Sequence, residues 1–184
     1  MIMKKLFLFL VLLCGATCVY AQDFAKFRIG LTAGANFSST TSENADMKVG
    51  FNAGVKGEYN LSNELFLNAS LLFDMKGAKS SGINVNANYL NIPIHIGYRY
   101  NISETISLFG EVGPYFAFGI SGETEGIKTF DVWKTFDLGL GARIGAEFSK
   151  FQVYVGYDYG LTKLADVNDA ATNTNLMAGI AYMF

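Results

Sequence analysis

From Phe27 to Phe184 the sequence alternates between apolar and polar residues at every second position, in eight separate runs. A period of two is the mark of a β-strand, whose successive side chains point to opposite faces. The first run, about 27–38, sets Phe27, Ile29, Leu31, Ala33, Ala35 and Phe37 against Arg28, Thr32, Asn36 and Ser38. The others cover about 47–60, 64–77, 87–101, 105–121, 134–148, 151–163 and 174–184. Runs of this length exceed the usual five or six residues of a globular strand. They suit a tilted bilayer crossing, which needs about 9–11.

The connections alternate too. Those at Asn60–Asn63, Asn101–Glu104 and Ser149–Lys150 are tight, whereas Ser39–Asp46, Gly77–Asn86, Gly122–Trp133 and Leu164–Asn173 are longer and polar. Short turns at one end and long loops at the other predict an all-β fold: an eight-stranded antiparallel up-and-down transmembrane β-barrel. That topology puts both termini and the short turns in the periplasm.

Alternation alone also fits a soluble barrel, with the faces reversed. The polar face decides between them. It is rich in glycine and carries Arg28, Lys48, Lys56, Lys76, Arg99 and Arg143 against Glu58, Asp74, Glu111, Asp137, Glu147 and Asp158. A soluble outer wall rarely combines so much glycine with so little lysine. A narrow lumen requires small residues beside large ones, and charges within it must be paired. The expected lumen charge network is Arg28, Lys56, Glu58, Arg99, Glu111, Asp137, Arg143, Glu147 and Asp158. Neighbouring-strand logic suggests Arg99–Glu111 and either Arg143–Glu111 or Arg143–Asp158. On the apolar face, Tyr59, Tyr98, Tyr100, Phe148, Phe151, Tyr182 and Phe184 gather at the short-turn end, as an interfacial aromatic belt does. Phe37, Phe73, Phe118, Phe136 and Tyr159 suit a second belt.

Residues 1–21 read as a secretory signal peptide, with Lys4 and Lys5 before the apolar run Leu6–Leu13 and Val19-Tyr20-Ala21 as the cleavage site. Removing it takes both cysteines, Cys14 and Cys18. The mature domain, 22–184, therefore excludes disulfides and cysteine chemistry. The whole chain carries 14 basic and 16 acidic residues, which argues against a nucleic-acid partner. His95 is the only histidine and faces the lumen by parity, so zinc of the usual type is not expected. Gly139, Gly141 and Gly145 lack phosphate-loop spacing and context. Glu123, Glu125, Asp166, Asn168 and Asp169 read as solvated loop residues rather than a calcium site. No cofactor, metal or enzymatic activity is expected.

Gly179, Tyr182 and Phe184 have the spacing of the C-terminal signal by which outer-membrane barrels engage their assembly machinery, although Met177 stands where a polar residue is usual. Further motifs follow in order: Tyr89-Leu90-Asn91-Ile92-Pro93, Gly113-Pro114-Tyr115, Phe136-Asp137-Leu138-Gly139 with Gly145, and Tyr157-Asp158-Tyr159-Gly160-Leu161-Thr162. In this ordered set the chain resembles the PorT-like outer-membrane β-barrel family of Bacteroidetes. The resemblance implies a bacterial outer-membrane location, with membrane lipid and the assembly machinery as partners and an envelope protein as a possible partner of the loops. The naming member is linked to type IX secretion, but a shared barrel does not carry that role. Four functions stay open: a closed structural or interaction barrel, a subunit of a secretion or envelope assembly, a narrow pore, and a lipid-acting enzyme using His95.

Overall fold

Each of the eight alternating runs forms a strand in the computed structural model, which describes residues 26–41, 45–80, 83–124, 126–165 and 171–184. The expected signal peptide, 1–21, lies outside the described residues. The strands are β1 (Phe27–Thr40), β2 (Lys48–Asn60), β3 (Leu65–Ser80), β4 (Ile83–Asn101), β5 (Ile106–Ser121), β6 (Phe136–Phe148), β7 (Phe151–Gly160) and β8 (Asn173–Met183). Every strand pairs antiparallel with its sequence neighbours. The sheet closes where β1 meets β8, with Leu31 opposite Tyr182 and Phe37 opposite Leu176. Closure removes the free edges that an open sheet would expose.

The two faces separate as the alternation requires. Leu31, Val49, Phe51, Ile96, Leu108, Leu140, Ile144, Val155 and Ile180 are exposed on the outside, while Lys56, Glu58, Asn68, Asp74, Glu111, Asp137 and Asp158 are buried inside. An apolar band running around a whole barrel far exceeds what a soluble monomer exposes. Against lipid it costs nothing, and the closed ladder satisfies the backbone within the sheet. No described helix is long and apolar enough to cross a membrane.

Two of the short turns share one chemistry. The backbone NH groups of Leu61 and Ser62 both donate to the Leu65 carbonyl, and those of Ile102 and Ser103 both donate to the Ile106 carbonyl. In each turn the serine hydroxyl accepts from backbone NH groups further on: Ser62 from Leu65 at 3.0 Å, Ser103 from Ile106 at 3.1 Å. The third turn is tighter and holds Ser149 at φ 57°, in the left-handed region that a two-residue hairpin requires.

The long-loop end differs from the sequence reading. Residues 77–80 and 83–86 are strand rather than loop, and 81–82 lie outside the described residues. They continue the hairpin, with Gly77 opposite Asn86, Ala78 opposite Val85 and Lys79 opposite Asn84. The alternation fades there because a rim above the lipid no longer needs one apolar face, yet the ladder persists. Ala45–Asp46 adds to its edge opposite Ser80 and Lys79. Lys48 Nζ ties the rim together, donating to the Val85 carbonyl at 3.2 Å and also to Asn86 Oδ1. With 16 and 19 residues, β3 and β4 are far longer than a bilayer crossing demands.

The described residues of the 122–133 connection, which leave out 125, are not an open loop either. Glu123–Thr124 and Ile127–Lys128 form a small hairpin, a 3-10 turn follows at Thr129–Asp131, and Phe130 and Trp133 pack against buried Ala87, Tyr89, Tyr115 and Ala117. Thr129 is buried, and its hydroxyl donates to the Asn86 carbonyl at 2.6 Å. Strand β7 ends at Gly160 rather than 163, and Leu164 then turns inward and is buried. The last long connection includes residues 166–170, outside the described residues.

Both prolines lie inside the barrel wall, where a missing NH interrupts the ladder. The β3–β4 pairing skips from Ala69/Ile94 to Leu72/Asn91, passing over Pro93. The β4–β5 pairing skips from Pro93/Tyr115 to Ile96/Val112, passing over Pro114. His95 stands in this second gap, where Gly113 lets the β5 backbone approach it closely.

Candidate functional site

The only described region with concentrated chemistry is the lumen, and it is built in layers. Nearest the short turns, Glu58 on β2 is the hub. Its Oε2 accepts from Arg99 Nη2 at 2.6 Å and from Arg28 Nη2, while Oε1 accepts from Gln152 Nε2 at 3.0 Å and lies 3.1 Å from Lys56 Nζ. Glu147 on β6 completes the layer, accepting a two-pronged contact from Arg28 at 2.6 and 2.9 Å and a bond from Gln152 at 2.7 Å. Fork-to-carboxylate pairing of this kind is the strong form of a charge-assisted bond.

A mixed layer follows. Glu111 on β5 accepts from Asn68 Nδ2 at 2.8 and 3.0 Å and from Arg143 Nη1 at 3.2 Å, and contacts His95 Nδ1 at 3.3 Å. Beside it, Phe66, Phe109, Tyr154 and Met177 form an apolar cluster inside the barrel. The arginine planes and Lys56 lean on these rings: Arg99 lies 4.6 Å from the Phe66 centroid and Lys56 Nζ 5.2 Å from that of Phe109. Toward the long loops, Lys76 Nζ sits 3.4 Å from Asp74 and 3.6 Å from Asp158. Asp137 accepts from the Tyr115 hydroxyl at 3.1 Å and from Asn173 at 2.9 Å. The Tyr89–Phe130 edge contact, 5.4 Å between centroids, roofs the layer.

All nine expected lumen residues therefore point inward and share one connected interior. One pairing is corrected. Arg99 does not meet Glu111; it reaches past β3 to Glu58 on β2 and lies 3.5 Å from Glu147. Of the two partners expected for Arg143, Glu111 is the bonded one. The lumen is narrow enough for long side chains to span non-adjacent strands, and neighbouring-strand logic has no access to that. Lys48, Lys76 and Asp74 belong to the same interior.

The sequence reading missed the inward aromatics Phe66, Tyr89, Phe109, Tyr115 and Tyr154. Their signal was available: each shares parity with the charged residues and faces a glycine. A Cβ on Gly97 would collide with the Phe66 ring, one on Gly145 would stand 2.6 Å from Phe109 Cζ, and one on Gly139 would strike Tyr115. The same layer explains Met177, which is apolar because it packs against Phe66, Phe109 and Tyr154.

Of the terminal-signal residues, Gly179 lies beneath the Tyr154 ring, while Tyr182 and Phe184 pack ring to ring on the outer wall with centroids 5.4 Å apart. His95 is 1% exposed and hydrogen bonds only Glu111, so no serine or threonine hydroxyl contacts it among the described residues. No described group of three or more acidic, histidine or cysteine side chains could hold a metal ion.

A family model described as the outer membrane protein beta-barrel domain matches residues 20–166. The chain belongs to this family. It is an outer-membrane protein. Among solved structures, Neisserial surface protein A is similar over 86% of this chain and 97% of its own, at 16% identity and a TM-score of 0.59. Ail of Yersinia pestis matches 86% of this chain and 99% of its own, at 19% identity and a TM-score of 0.48. OprG of Pseudomonas aeruginosa covers 86% and 94%, at 10% identity and the same TM-score. At these identities the likeness to Neisserial surface protein A shows the fold. Among curated proteins none matches the chain by sequence.

Proposed function

We propose that this outer-membrane barrel is a closed, non-conducting structural and interaction protein whose lumen is a rigid plug and whose long-loop end meets the partner. One observation carries the reading: buried side chains occupy the lumen at each level from Glu58 through Glu111 to Asp137. The Arg28–Glu58–Arg99–Glu147 layer blocks the short-turn end, and Phe130 and Trp133 lie over the other. Eight strands leave room for side chains rather than a channel. Buried His95, without a hydroxyl partner, offers a lipid substrate no access, which supports a non-enzymatic role. Outer-membrane lipid around the apolar band and the assembly machinery at Gly179, Tyr182 and Phe184 are the partners this reading requires. An envelope protein docking on the loops fits it too. The ordered motifs from Tyr89 to Thr162 support placement among the PorT-like barrels of Bacteroidetes.

Planar-bilayer recording on the purified protein is expected to show no reproducible conductance steps. A discrete single-channel event of constant size would overturn the closed-lumen reading. The long loops face the outside in this proposal, because long connections of such barrels are extracellular and an even strand number returns both ends to the periplasm. Protease added to whole cells should cut within 39–46 or 164–173 and spare Asn60–Asn63. The packed 126–133 and the paired 77–80 and 83–86 should resist longer than open loops. Cleavage at Asn60–Asn63 in intact cells would invert the topology.

A further inference from the structure

A cleft of about 620 Å³ lies at the rim, between the ends of β4 and β5 and the hairpin that follows them. Its lining includes Asn86, Asn88, Ser121, Glu123, Lys128 and Asp131, with the Phe130 ring beside them. We propose that this cleft is a saccharide-binding site. The inference rests on the outward orientation of the long-loop end given above.

Three observations support the assignment. The first is chemical. The polar lining mixes carboxamides, a hydroxyl, two carboxylates and an ammonium. A net anion would meet Glu123 and Asp131, and a net cation would meet Lys128. A sugar hydroxyl both donates and accepts, so it can use every one of these groups, while the Phe130 ring offers an apolar surface to the carbon face of a pyranose.

The second is availability. The side chains of Glu123, Lys128 and Asp131 make no hydrogen bond or ion pair with another described residue, although Glu123 and Lys128 face each other across the hairpin ladder. Asn88 Nδ2 donates to Ser121 Oγ at 3.0 Å, which fixes its carboxamide at the cleft wall. The framework around these free groups is held in place. Asn86 Nδ2 donates to the Glu123 carbonyl at 3.2 Å, Thr129 NH donates to the Gly122 carbonyl at 3.0 Å, and Phe130 is locked against Tyr89. A pre-organised site loses little freedom on binding.

The third is level. Asn88 stands two residues beyond Leu90 on the outward face of β4. Leu90 pairs with Phe118, which pairs with Phe136, in the aromatic belt of the long-loop end. The cleft therefore opens just above the apolar band, where lipid headgroups stand. Its saccharide comes from one of two sources, the sugar headgroup of an outer-leaflet glycolipid or a free surface glycan.

Trp133 is the only tryptophan of the chain and packs in the same cluster as Phe130, so its emission reports on this site. The purified barrel in nanodiscs is titrated with an uncharged glycolipid bearing a neutral oligosaccharide headgroup and, separately, with the same oligosaccharide free in solution. Heat of binding and Trp133 emission are followed together. A saturable response to the oligosaccharide assigns a free glycan, and a response only to the intact glycolipid assigns its headgroup; both support the site. Asn88→Ala and Lys128→Ala are each expected to weaken binding at least threefold and together tenfold. Lys128 is exposed, so its replacement leaves the barrel folded and keeps the test meaningful. No saturable response to either probe, or equal affinity in wild type and the double variant, overturns the proposal. The proteolysis experiment on whole cells reports separately on the orientation.

Discussion

Glu58→Gln is expected to lower the unfolding free energy of the barrel by about 3–5 kcal/mol, the usual cost of breaking a buried ion pair by removing one partner. Glu58 is 0% exposed and receives Arg28, Arg99, Gln152 and Lys56 at once. The glutamine keeps the shape and loses the charge. Arg28, Lys56 and Arg99 then share Glu147 and Glu111, and a cation is left in a desolvated interior without its counter-charge. Urea unfolding in lipid vesicles measures the loss. Glu64→Gln, in an exposed turn, should change stability by less than about 0.5 kcal/mol and serves as the control. Adding Arg99→Met to Glu58→Gln should recover part of the loss, because it removes the surplus cation. A positive coupling in that double-mutant cycle identifies the pair itself rather than general damage. A Glu58→Gln barrel as stable as wild type would show that the layer near the short turns does not hold the lumen together.

Leu140→Arg is expected to cost about 2–4 kcal/mol, the penalty for a cation on the lipid face near the bilayer midplane. Leu140 is 52% exposed on the outer wall of β6, opposite Pro114 on β5 and Tyr159 on β7. It has no carboxylate to meet and only acyl chains around it. The same arginine at Gly139 fails for the opposite reason. It points into the lumen, where even a Cβ collides with Tyr115. The two variants separate in the lipid dependence of refolding. A thinner bilayer shortens the path from residue 140 to water and should relieve Leu140→Arg, while the crowding at Gly139→Arg is indifferent to bilayer thickness. Leu140→Arg folding into vesicles as well as wild type would reverse the assignment of the faces.

Much of this was legible from alternation because a barrel wall makes each residue choose between two solvents. Leu140 and Asp137 differ in parity, and parity alone sends one to lipid and the other inward. Where that choice lapses, the reading lapsed with it. Residues 77–80 and 83–86 stand above the apolar band, carry no clear alternation, and still pair along the hairpin. Gly122–Trp133 reads as a polar loop because its hydrogen-bonding residues dominate the count, yet Phe130 and Trp133 find an apolar surface over the mouth. That surface exists only once Tyr89 on β4 and Tyr115 on β5 are side by side. The inward rings of Phe66 and Phe109 were obscured differently: an aromatic residue at an inward position resembles a lapse in the pattern until the glycines opposite it are counted.

The sequence by itself determined the number of strands, their direction, the face each residue takes and the need for a charged, glycine-rich interior. These follow from a strand's period of two and from the cost of putting a charge in lipid, and both act locally along the chain. Only the tertiary structure decided which charge meets which. Arg28 and Glu147 are 119 residues apart, and Lys56 and Gln152 are 96 apart, yet each pair is bonded. Arg99 bonds Glu58 across an intervening strand. Partner choice inside a closed barrel depends on register, curvature and the length of each side chain across the lumen. Those quantities have no value until the first strand has met the last.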